Sequence, residues 1–372
     1  MKKVLVFGMT ENPGGVESVI MNYYRNIDHQ KIHFDFLCNS HNPIAFEDEL
    51  KQSGSKCFHF VARSKKPLQY CHALNTFFRQ YAPEYDAIWV NVCSLANIDY
   101  LKLARKYGIS RRIIHSHNSE NMDSALRGQL HKFNKKRISK YATDFWACSE
   151  DAAKWFFEGE TLKNTVIVNN AIDITKMRFD ANKRKSFRKQ LAVEDKLIIG
   201  NIGRLHFQKN QDFIIDIFSA LIKKEPNAVL FLIGQGEDES KLKTKVKNLH
   251  LEKSVYLLGV QQDIQGWLSA MDLFLFPSRF EGLSVVAMEA QANGVPVLAS
   301  KNVIPAEVKI NENFQFYGLE HSAAEWADQI VWMSHHLARL NSEKILKSFM
   351  RKNFEIKQEA KKLQDWFLKN EY

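Results

Sequence analysis

The chain lacks the cysteine pattern of a disulfide framework or of a structural zinc site. Its 372 residues include five cysteines, an odd number, and none of them belongs to a C-x-x-C pair. All five lie in the first half of the chain, at Cys38, Cys57, Cys71, Cys93 and Cys148. Cysteines without such a pattern usually serve as small buried hydrophobic side chains in proteins of a reducing compartment.

Long apolar runs are also missing. No segment reaches the roughly 18 apolar residues that a transmembrane helix needs. The apolar run at residues 4–7, which follows Lys2 and Lys3, is too short for the core of a signal peptide and is predicted to be a first strand. We therefore expect a cytoplasmic protein.

Acidic residues are scarce in one segment of a chain whose net charge is +10. Residues 100–142 contain eleven Lys or Arg against two acids, Glu120 and Asp123, for a net charge of +9. Five of these basic residues are predicted to share one helix: Lys132, Lys135, Lys136, Arg137 and Lys140. The segment is either a solvated helix face or a surface that attracts anionic lipid headgroups, at about 1 kcal/mol per basic residue. Nucleic acid is not expected as a partner, because no nucleic-acid-binding motif accompanies the charge.

Strands and helices are predicted to alternate in two blocks. The first block has predicted strands at residues 3–8, 33–38, 56–61, 86–92, 112–117, 145–148 and 166–168. Charged residues interrupt this rhythm between residues 173 and 195, where a connection with a short helix is predicted. The second block has predicted strands at residues 197–202, 228–233, 255–258, 273–276 and 297–299. Such alternation predicts an α/β protein with parallel sheets that helices cover on both faces.

The most informative segment is residues 280–290. It joins a predicted buried strand at 273–276 to a predicted helix at 284–293, so its loop offers backbone N–H groups at a helix N-terminus, which suits a phosphate. Glu281 lies at the carboxyl end of the strand, where open α/β sheets bind ligands, and Glu289 lies one to two turns into the helix. Carboxylates are good acceptors for hydroxyl groups. A ligand that carries both phosphates and many hydroxyl groups is a nucleotide sugar.

This segment resembles the E-x7-E signature of retaining glycosyltransferases of the family 4 type. Further motifs occur in the order typical of that family: Gly14-Gly15-Val16-Glu17, His115-Ser116-His117-Asn118, Gly203-Arg204-Leu205 with Lys209-Asn210, and Ile233-Gly234-Gln235-Gly236. The resemblance covers nearly the whole chain. Within the family, the sequence is most similar to bacterial capsular, exopolysaccharide and lipopolysaccharide glycosyltransferases.

The resemblance implies the GT-B fold, in which two Rossmann-like domains face each other across a cleft. An acceptor-side domain is expected at residues 1–175 and a nucleotide-sugar-binding domain at 190–350. A terminal helix at about 355–372 is expected to cross back to the first domain. The implied activity is a retaining transfer of a hexose or N-acetylhexosamine from a nucleotide sugar, expected to be a UDP-sugar. The implied acceptor is a lipid-linked saccharide or oligosaccharide in surface polysaccharide synthesis, at the inner face of the membrane.

Arg204 and Lys209 follow a predicted strand and lie at a predicted helix start. Two cations there would stabilise the negative charge that develops on a diphosphate leaving group as the glycosidic bond breaks. They would also remove the need for a metal, and the chain has no D-x-D motif of metal-dependent glycosyltransferases at a strand end. We therefore expect neither a metal nor another cofactor.

The resemblance assigns further roles at the donor site. Glu289 is expected to accept hydrogen bonds from the ribose hydroxyls and Glu281 from hydroxyls of the transferred sugar. Backbone N–H groups that face the phosphates or the sugar are expected from Gly282, Leu283 and Ser284. Ser284 can also cap the helix that follows.

Two motifs of the first domain have implied roles. Gly14 and Gly15 would let the backbone approach the donor closely. His117 is the implied active-site histidine beside the donor sugar, and strand alternation places His115 on the same face. His117 is not expected to be a nucleophile, because the family is thought to react on one face of the sugar, with the diphosphate as the base for the incoming hydroxyl.

Other functions stay open on the same residues. A nucleotide-sugar 2-epimerase has this architecture but uses a different acid/base set. A non-catalytic nucleotide-sugar-binding scaffold protein of a polysaccharide complex would keep the binding residues without turnover. An NAD-dependent dehydrogenase is disfavoured, because the Gly14-Gly15 loop is not the G-x-G-x-x-G dinucleotide fingerprint.

Overall fold

The computed structural model describes residues 1–118 and 124–369. Glu120 and Asp123, the two acids of the basic segment, lie outside these ranges, as do the last three residues of the predicted terminal helix. The chain divides into two units. The first contains Met1–Ala171 and Ile356–Tyr372, and the second contains Ile172–Glu355.

The first unit is built on a parallel sheet. In its described residues the strands are β1 (Lys2–Phe7), β2 (Ile32–Cys38), β3 (Cys57–His59), β4 (Ala87–Val92), β5 (Arg111–Ser116), β6 (Asp144–Ala147) and β7 (Val166–Ile167). Their order across the sheet is β3-β2-β1-β4-β5-β6-β7. The chain therefore moves outward from β1 to one edge and then returns to build the other side.

The second unit repeats this plan. The strands of its sheet are β8 (Leu197–Ile202), β9 (Ala228–Ile233), β10 (Val255–Leu257), β11 (Leu273–Phe276), β12 (Val297–Ser300) and β13 (Phe314–Tyr317). Their order is β10-β9-β8-β11-β12-β13, and all neighbours are parallel. Every residue of β9 and of β11 is buried, which explains their continuous apolar sequences, because strands of a doubly covered parallel sheet have no solvent face.

Helices connect the strands. In chain order, the α-helices of the described ranges are α1 (Gly15–Tyr24), α2 (Glu47–Gln52), α3 (Pro67–Tyr81), α4 (Asp99–Lys106), α5 (Ala125–Lys135), α6 (Glu150–Phe156), α7 (Gly159–Lys163), α8 (Ala181–Gln190), α9 (Gln211–Leu221), α10 (Glu239–Asn248), α11 (Ile264–Ala270), α12 (Val285–Asn293), α13 (Ala323–His336), α14 (Ser342–Arg351) and α15 (Ile356–Leu368). Within the part of the chain that is described, none of them combines the length and the apolar character needed to cross a membrane.

The predicted α/β fold class is confirmed, including the return of the terminal helix to the first unit. Phe367 on α15 is 3% exposed, and its ring centroid lies 6.0 Å from that of Phe34 and 6.0 Å from that of Trp146. The guanidinium of Arg111, at the start of β5, stacks 3.4 Å from the ring centroid of Trp366. These contacts attach the end of the chain to the sheet of the first unit.

The prediction of a single basic helix is wrong. Helix α5 ends at Lys135, and a separate 3₁₀ turn follows at Ile138–Lys140. The side-chain amide of Asn134, one residue before the helix end, donates to the Leu95 carbonyl oxygen at 2.6 Å, and Ile138 after the helix is fully buried. Because both residues are held in place, the chain turns between them. The basic residues are therefore divided between the helix and the turn.

Strand β13 was not predicted from the sequence. Its four residues include polar Gln315, and only Phe314 is buried. It is an edge strand that pairs with β12 alone, so it needs no continuous apolar run.

Candidate functional site

The sheet order of the second unit defines where a ligand can bind. The chain direction across the sheet reverses at β8, which pairs with β9 on one side and β11 on the other. In open α/β sheets, ligands bind outside the carboxyl ends of the strands at such a switch point. The loop after β8 contains Arg204 and Lys209, and the loop after β11 contains Glu281. The fold therefore brings these predicted site residues to one edge of the sheet.

Direct hydrogen bonds hold these two loops together. The amide of Asn210 donates to the Pro277 carbonyl oxygen at 3.0 Å, and the amide of Gln208 donates to the Phe280 carbonyl oxygen at 3.1 Å. The backbone N–H of Arg279 donates to the Gln208 carbonyl oxygen at 2.8 Å. Sequence analysis assigned no role to Gln208 or Asn210, although both flank Lys209. Their role is to fix the distance between the loops.

The same two loops are joined by a mostly buried ion pair. Lys209 Nζ lies 2.6 Å from Glu281 Oε1, and the two side chains are 16% and 6% exposed. The ammonium also lies 5.2 Å from the ring centroid of Phe276, at the end of β11. The sequence had assigned the cation to phosphates and the carboxylate to a sugar, and it did not predict that they contact each other. Because they are paired, removing one leaves a largely buried charge on the other.

Arg204 lies at the exposed rim of this edge. Its guanidinium is 69% exposed and pairs with Glu237, which follows β9, at 3.0 Å. His206 Nε2 contacts the other oxygen of the same carboxylate at 3.2 Å. An exposed ion pair of this kind contributes little to stability, so the guanidinium can exchange Glu237 for a ligand anion at low cost.

The glycines of the Ile233-Gly234-Gln235-Gly236 motif are required by close backbone packing. A Cβ on Gly234 would lie 2.0 Å from the carbonyl oxygen of Gly203, and one on Gly236 would lie 2.2 Å from that of Leu205. Gly234 also has φ +136°, a backbone conformation that residues with a side chain rarely adopt. This turn therefore packs directly against the backbone of the loop that carries Arg204. The close packing explains why the motif has glycine at these two positions.

Glu289 differs sharply from Glu281. It lies on α12 and is half-buried, and no hydrogen bond or ion pair to its carboxylate occurs among the described residues. Burial raises the pKa of Glu289 to about 7. A carboxyl group without partners in a partly desolvated place is poised to accept hydrogen bonds from a ligand, and binding would favour its ionised form.

The N-terminus of α12 is not capped by a side chain. Ser284 occupies the N-cap position in an extended conformation, and its hydroxyl accepts no hydrogen bond from the first turn. The expectation that Ser284 caps the helix is therefore wrong. No acidic residue lies in that turn either, so the positive end of the helix dipole keeps its capacity for an anion. Leu283 and Ser284 are buried and Gly282 is half-buried, at the same edge as Glu281.

In the first unit, His117 follows β5 directly. Its Nε2 contacts Asn91 Oδ1 at 2.9 Å, and the amide nitrogen of Asn91 donates to the Phe7 carbonyl oxygen at 3.3 Å, which identifies Oδ1 as the acceptor of the histidine N–H. Burial lowers the pKa of His117 to about 3, so the ring is neutral at pH 7 and carries its lone pair on Nδ1. His115 lies on the same face as expected, with ring centroids 4.1 Å apart. Sequence analysis did not identify Asn91 as a partner of His117, although Asn91 is a polar residue within an otherwise apolar strand.

Gly14 and Gly15 occupy the start of α1 and have different surroundings. A Cβ on Gly14 would lie 2.9 Å from Glu17 Oε2, whereas one on Gly15 would have no atom within 4 Å. Glu17 is buried, and its Oε1 accepts hydrogen bonds from the backbone N–H of Thr10 at 3.0 Å and from its hydroxyl at 2.6 Å. Glu17 therefore holds the loop after β1, a role that sequence analysis did not assign.

The edge of the second unit thus combines two cations with an uncapped helix N-terminus, and the helix that begins there carries a carboxyl group without a partner about one turn further on. Such a set can hold a ligand that is anionic at one end and rich in hydroxyl groups at the other. Within the described ranges, no group of three or more His, Cys, Asp or Glu side chains is arranged to hold a metal ion.

The Lys209–Glu281 pair leads to a prediction about stability. Lys209→Met leaves the buried Glu281 carboxylate unpaired and should lower the free energy of unfolding by about 3–5 kcal/mol. The double variant Lys209→Met/Glu281→Gln should recover much of this loss, because neither charge then remains. Denaturant unfolding of the wild type, both single variants and the double variant measures the coupling. Arg204→Gln is the control, with almost no expected loss. Strictly additive losses in the double variant would contradict the coupling.

The second unit matches a known family. Residues 182–343 match the family model described as glycosyl transferases group 1. The matched range includes all four charged residues of the site in this unit, which are Arg204, Lys209, Glu281 and Glu289.

Several curated proteins are similar to the chain. The putative glycosyltransferase EpsF of Bacillus subtilis (strain 168) is 29% identical over 311 residues, which cover 81% of this chain and 80% of EpsF. An Escherichia coli enzyme named UDP-Gal:alpha-D-GlcNAc-diphosphoundecaprenol alpha-1,3-galactosyltransferase is 27% identical over 214 residues, 54% of this chain and 53% of its own.

Solved structures show the same fold over nearly the whole chain. A crystal structure of Anabaena HepE in complex with UDP has a TM-score of 0.80 at 19% sequence identity, covering 98% of this chain and 99% of HepE. HepE has also been solved with UDP-glucose, with a TM-score of 0.79. WaaG, a glycosyltransferase involved in lipopolysaccharide biosynthesis, has a TM-score of 0.69 at 14% identity, with 98% and 99% covered. Residues 182–343 therefore match a glycosyl transferases group 1 domain, and the chain has the GT-B fold.

Proposed function

We propose that the protein is a retaining glycosyltransferase that moves a hexose or N-acetylhexosamine from a UDP-sugar to a lipid-linked saccharide in surface polysaccharide synthesis. The observation that carries this proposal is the Glu289 carboxyl group without a partner, on the helix whose uncapped N-terminus lies beside the Lys209–Glu281 pair. The names of EpsF and of the E. coli galactosyltransferase support the reaction and the kind of acceptor. The UDP-glucose complex of HepE supports the donor.

The donor would be recognised in parts by the second unit. Arg204, Lys209 and the backbone N–H groups from Gly282 to the first turn of α12 would bind the diphosphate. Glu289 would accept hydrogen bonds from the ribose hydroxyls. Glu281, whose Oε1 already contacts Lys209, would offer its other oxygen to a hydroxyl of the transferred sugar.

The chemistry follows from charge development. When the bond between the sugar and the diphosphate breaks, negative charge grows on the diphosphate, and Arg204 and Lys209 stabilise it more in the transition state than in the ground state. The acceptor hydroxyl would attack the same face of the sugar and pass its proton to a diphosphate oxygen. His117, neutral at pH 7, would orient the sugar by hydrogen bonding and would not carry the proton. We propose that no metal and no cofactor take part.

The membrane surface is the proposed partner of the basic segment at residues 100–142. Its helix α5 exposes Leu126 and Phe133, which are 68% and 55% exposed, beside Lys132 and Lys136. A helix that presents apolar and basic side chains together suits the interface of an anionic membrane. We therefore propose a cytoplasmic protein, peripheral on the inner membrane face, that does not bind nucleic acid.

Turnover with a panel of UDP-, GDP-, ADP- and dTDP-sugars tests the reaction. We expect a UDP-sugar to be consumed in the presence of a lipid-linked saccharide, with the product keeping the anomeric configuration of the donor, as read by NMR. Activity should survive EDTA. An inverted product would exclude the retaining mechanism, and rescue of an EDTA-treated enzyme only by Mg²⁺ or Mn²⁺ would exclude metal independence.

The raised pKa of Glu289 predicts pH-dependent donor binding. With a pKa of about 7, the free carboxyl group is mostly protonated at pH 6 and mostly ionised at pH 8, so the affinity for UDP-glucose should rise roughly tenfold between these values. UDP-glucose itself does not titrate in this range. Calorimetry on Glu289→Gln should show weaker binding, by roughly ten- to a hundredfold at pH 8, and this rise should be gone. An unchanged pH profile in Glu289→Gln would remove Glu289 from the donor site.

The basic segment predicts salt-sensitive membrane binding. Changing the exposed Lys132, Lys136 and Lys140 to Glu should reduce sedimentation with anionic vesicles at low salt and leave UDP-glucose binding unchanged. The matched control makes the same charge change at three exposed lysines of α10: Lys241, Lys243 and Lys247. Equal sedimentation of both triple variants would mean that the segment is only a solvated surface.

A further inference from the structure

The first unit contains a cavity that the donor residues do not use. It has a volume of about 560 Å³, within the usual range for small-molecule sites. Phe7 at the end of β1 and Val92 at the end of β4 line it, so it lies at the switch point of this sheet, where the order runs β2-β1-β4-β5. The backbone N–H of His117 donates to the Val92 carbonyl oxygen at 3.2 Å. The cavity therefore adjoins the strand end that carries His117.

Its walls are largely apolar and rigidly supported. The ring of Phe7 stacks on Tyr100 with a centroid distance of 4.0 Å. Asn39 also lines the cavity, and its Oδ1 accepts a hydrogen bond from the Tyr100 hydroxyl at 2.6 Å. The side-chain amide of Asn39 can therefore act as a hydrogen-bond donor to a ligand. Further apolar lining comes from Ala62, Pro67, Ala96 and Leu130. These apolar walls suit hydrocarbon.

The charged part of the lining is cationic, and neutral polar side chains line the cavity as well: Asn39, Ser64, Ser94 and Asn97. Arg63 and Arg127 both line the cavity, and no acidic side chain is among the described residues that do so. Arg63 is held by Asp99 at 3.2 Å, with the guanidinium 44% exposed. Two guanidinium groups and an amide donor favour a phosphate or diphosphate.

The apolar surface continues outside the cavity. Leu130 lines the cavity and is also 39% exposed on α5, the helix that exposes Leu126 and Phe133. Leu68, next to the lining residue Pro67, is 86% exposed. A ligand whose phosphate enters between the arginines would therefore meet apolar side chains both inside the cavity and at its rim.

We propose that this cavity binds the acceptor through a diphosphate that is linked to a hydrocarbon chain, as in a prenyl diphosphate. The diphosphate lies between Arg63 and Arg127, and the first carbons of the chain lie against Leu130 and the exposed leucines at the rim. This inference rests on the proposed function, because it identifies the acceptor of that reaction by its anionic and apolar parts. It also places the recognised phosphate in the unit that carries His117.

Two cysteines of the chain provide a direct test. Cys93 lines the cavity and is exposed, while Cys71 is exposed on α3 and does not line it. Alkylation of each thiol can be followed by mass spectrometry in the absence of vesicles. Saturating farnesyl diphosphate should slow alkylation of Cys93 at least tenfold and leave Cys71 unchanged. Farnesol and inorganic diphosphate at the same concentration should protect Cys93 much less.

Arginine variants test the anionic part. Arg63→Gln and Arg127→Gln should each raise the farnesyl diphosphate concentration for half-protection of Cys93 by tenfold or more. The matched control is Arg79→Gln, an exposed arginine of α3 that does not line the cavity, and it should behave as wild type. The proposal is overturned by absent protection, by equal protection from farnesol or from inorganic diphosphate alone, or by arginine variants that match the control.

Binding of UDP-glucose in the same samples separates this inference from the proposed function. If UDP-glucose binds and farnesyl diphosphate does not protect Cys93, the acceptor inference fails and the donor assignment stands. If Cys93 is protected by farnesyl diphosphate and UDP-glucose does not bind, the UDP-sugar donor of the proposed function fails and the cavity assignment stands.

Discussion

The candidate donor site depends on the ion pair between Lys209 and Glu281. These residues come from loops that follow different strands, 72 positions apart in sequence, and their charged atoms lie 2.6 Å apart. The hydrogen bonds of Gln208 and Asn210 to the opposite loop hold the two backbones at the distance that this contact requires. The Lys209 ammonium would be costly to keep largely buried without an anion beside it. Glu281 offsets that cost in the free protein and keeps the paired side chains at the carboxyl edge of the sheet.

Burial shifts the pKa values of Glu289 and His117 in opposite directions. It raises the pKa of Glu289 to about 7 and lowers that of His117 to about 3, because in each case a partly or fully desolvated environment disfavours the charged form. Glu289 is therefore close to the point where a hydrogen-bonding ligand can decide its ionisation. His117 is far from that point, and it is a fixed hydrogen-bonding group whose direction Asn91 sets.

The two units use the same sheet plan for different surfaces. In each, the carboxyl ends of the central strands form a switch point. In the second unit this edge carries Arg204, Lys209 and two carboxylates, which suits phosphates and hydroxyl groups. In the first unit it opens into a cavity with apolar walls and two arginines. The sheet supplies the position of a site, and the loops after its strands supply the chemistry.

The sequence alone determined the fold class and pointed to most residues of the candidate site. Buried strands such as β9 and β11 are continuous apolar runs, and the glutamates of the E-x7-E segment stand beside a predicted helix start, so local pattern was enough to find them. Edge strand β13, the end of α5 at Lys135 and the roles of Glu17 and Asn91 were not found, because each depends on a partner distant in sequence or on burial of a single side chain. Only the tertiary structure decided that Glu281 pairs with Lys209 while Glu289 has no partner. The two glutamate side chains are chemically identical. Their ionisation and their capacity to bind a ligand differ because the fold places different groups beside them.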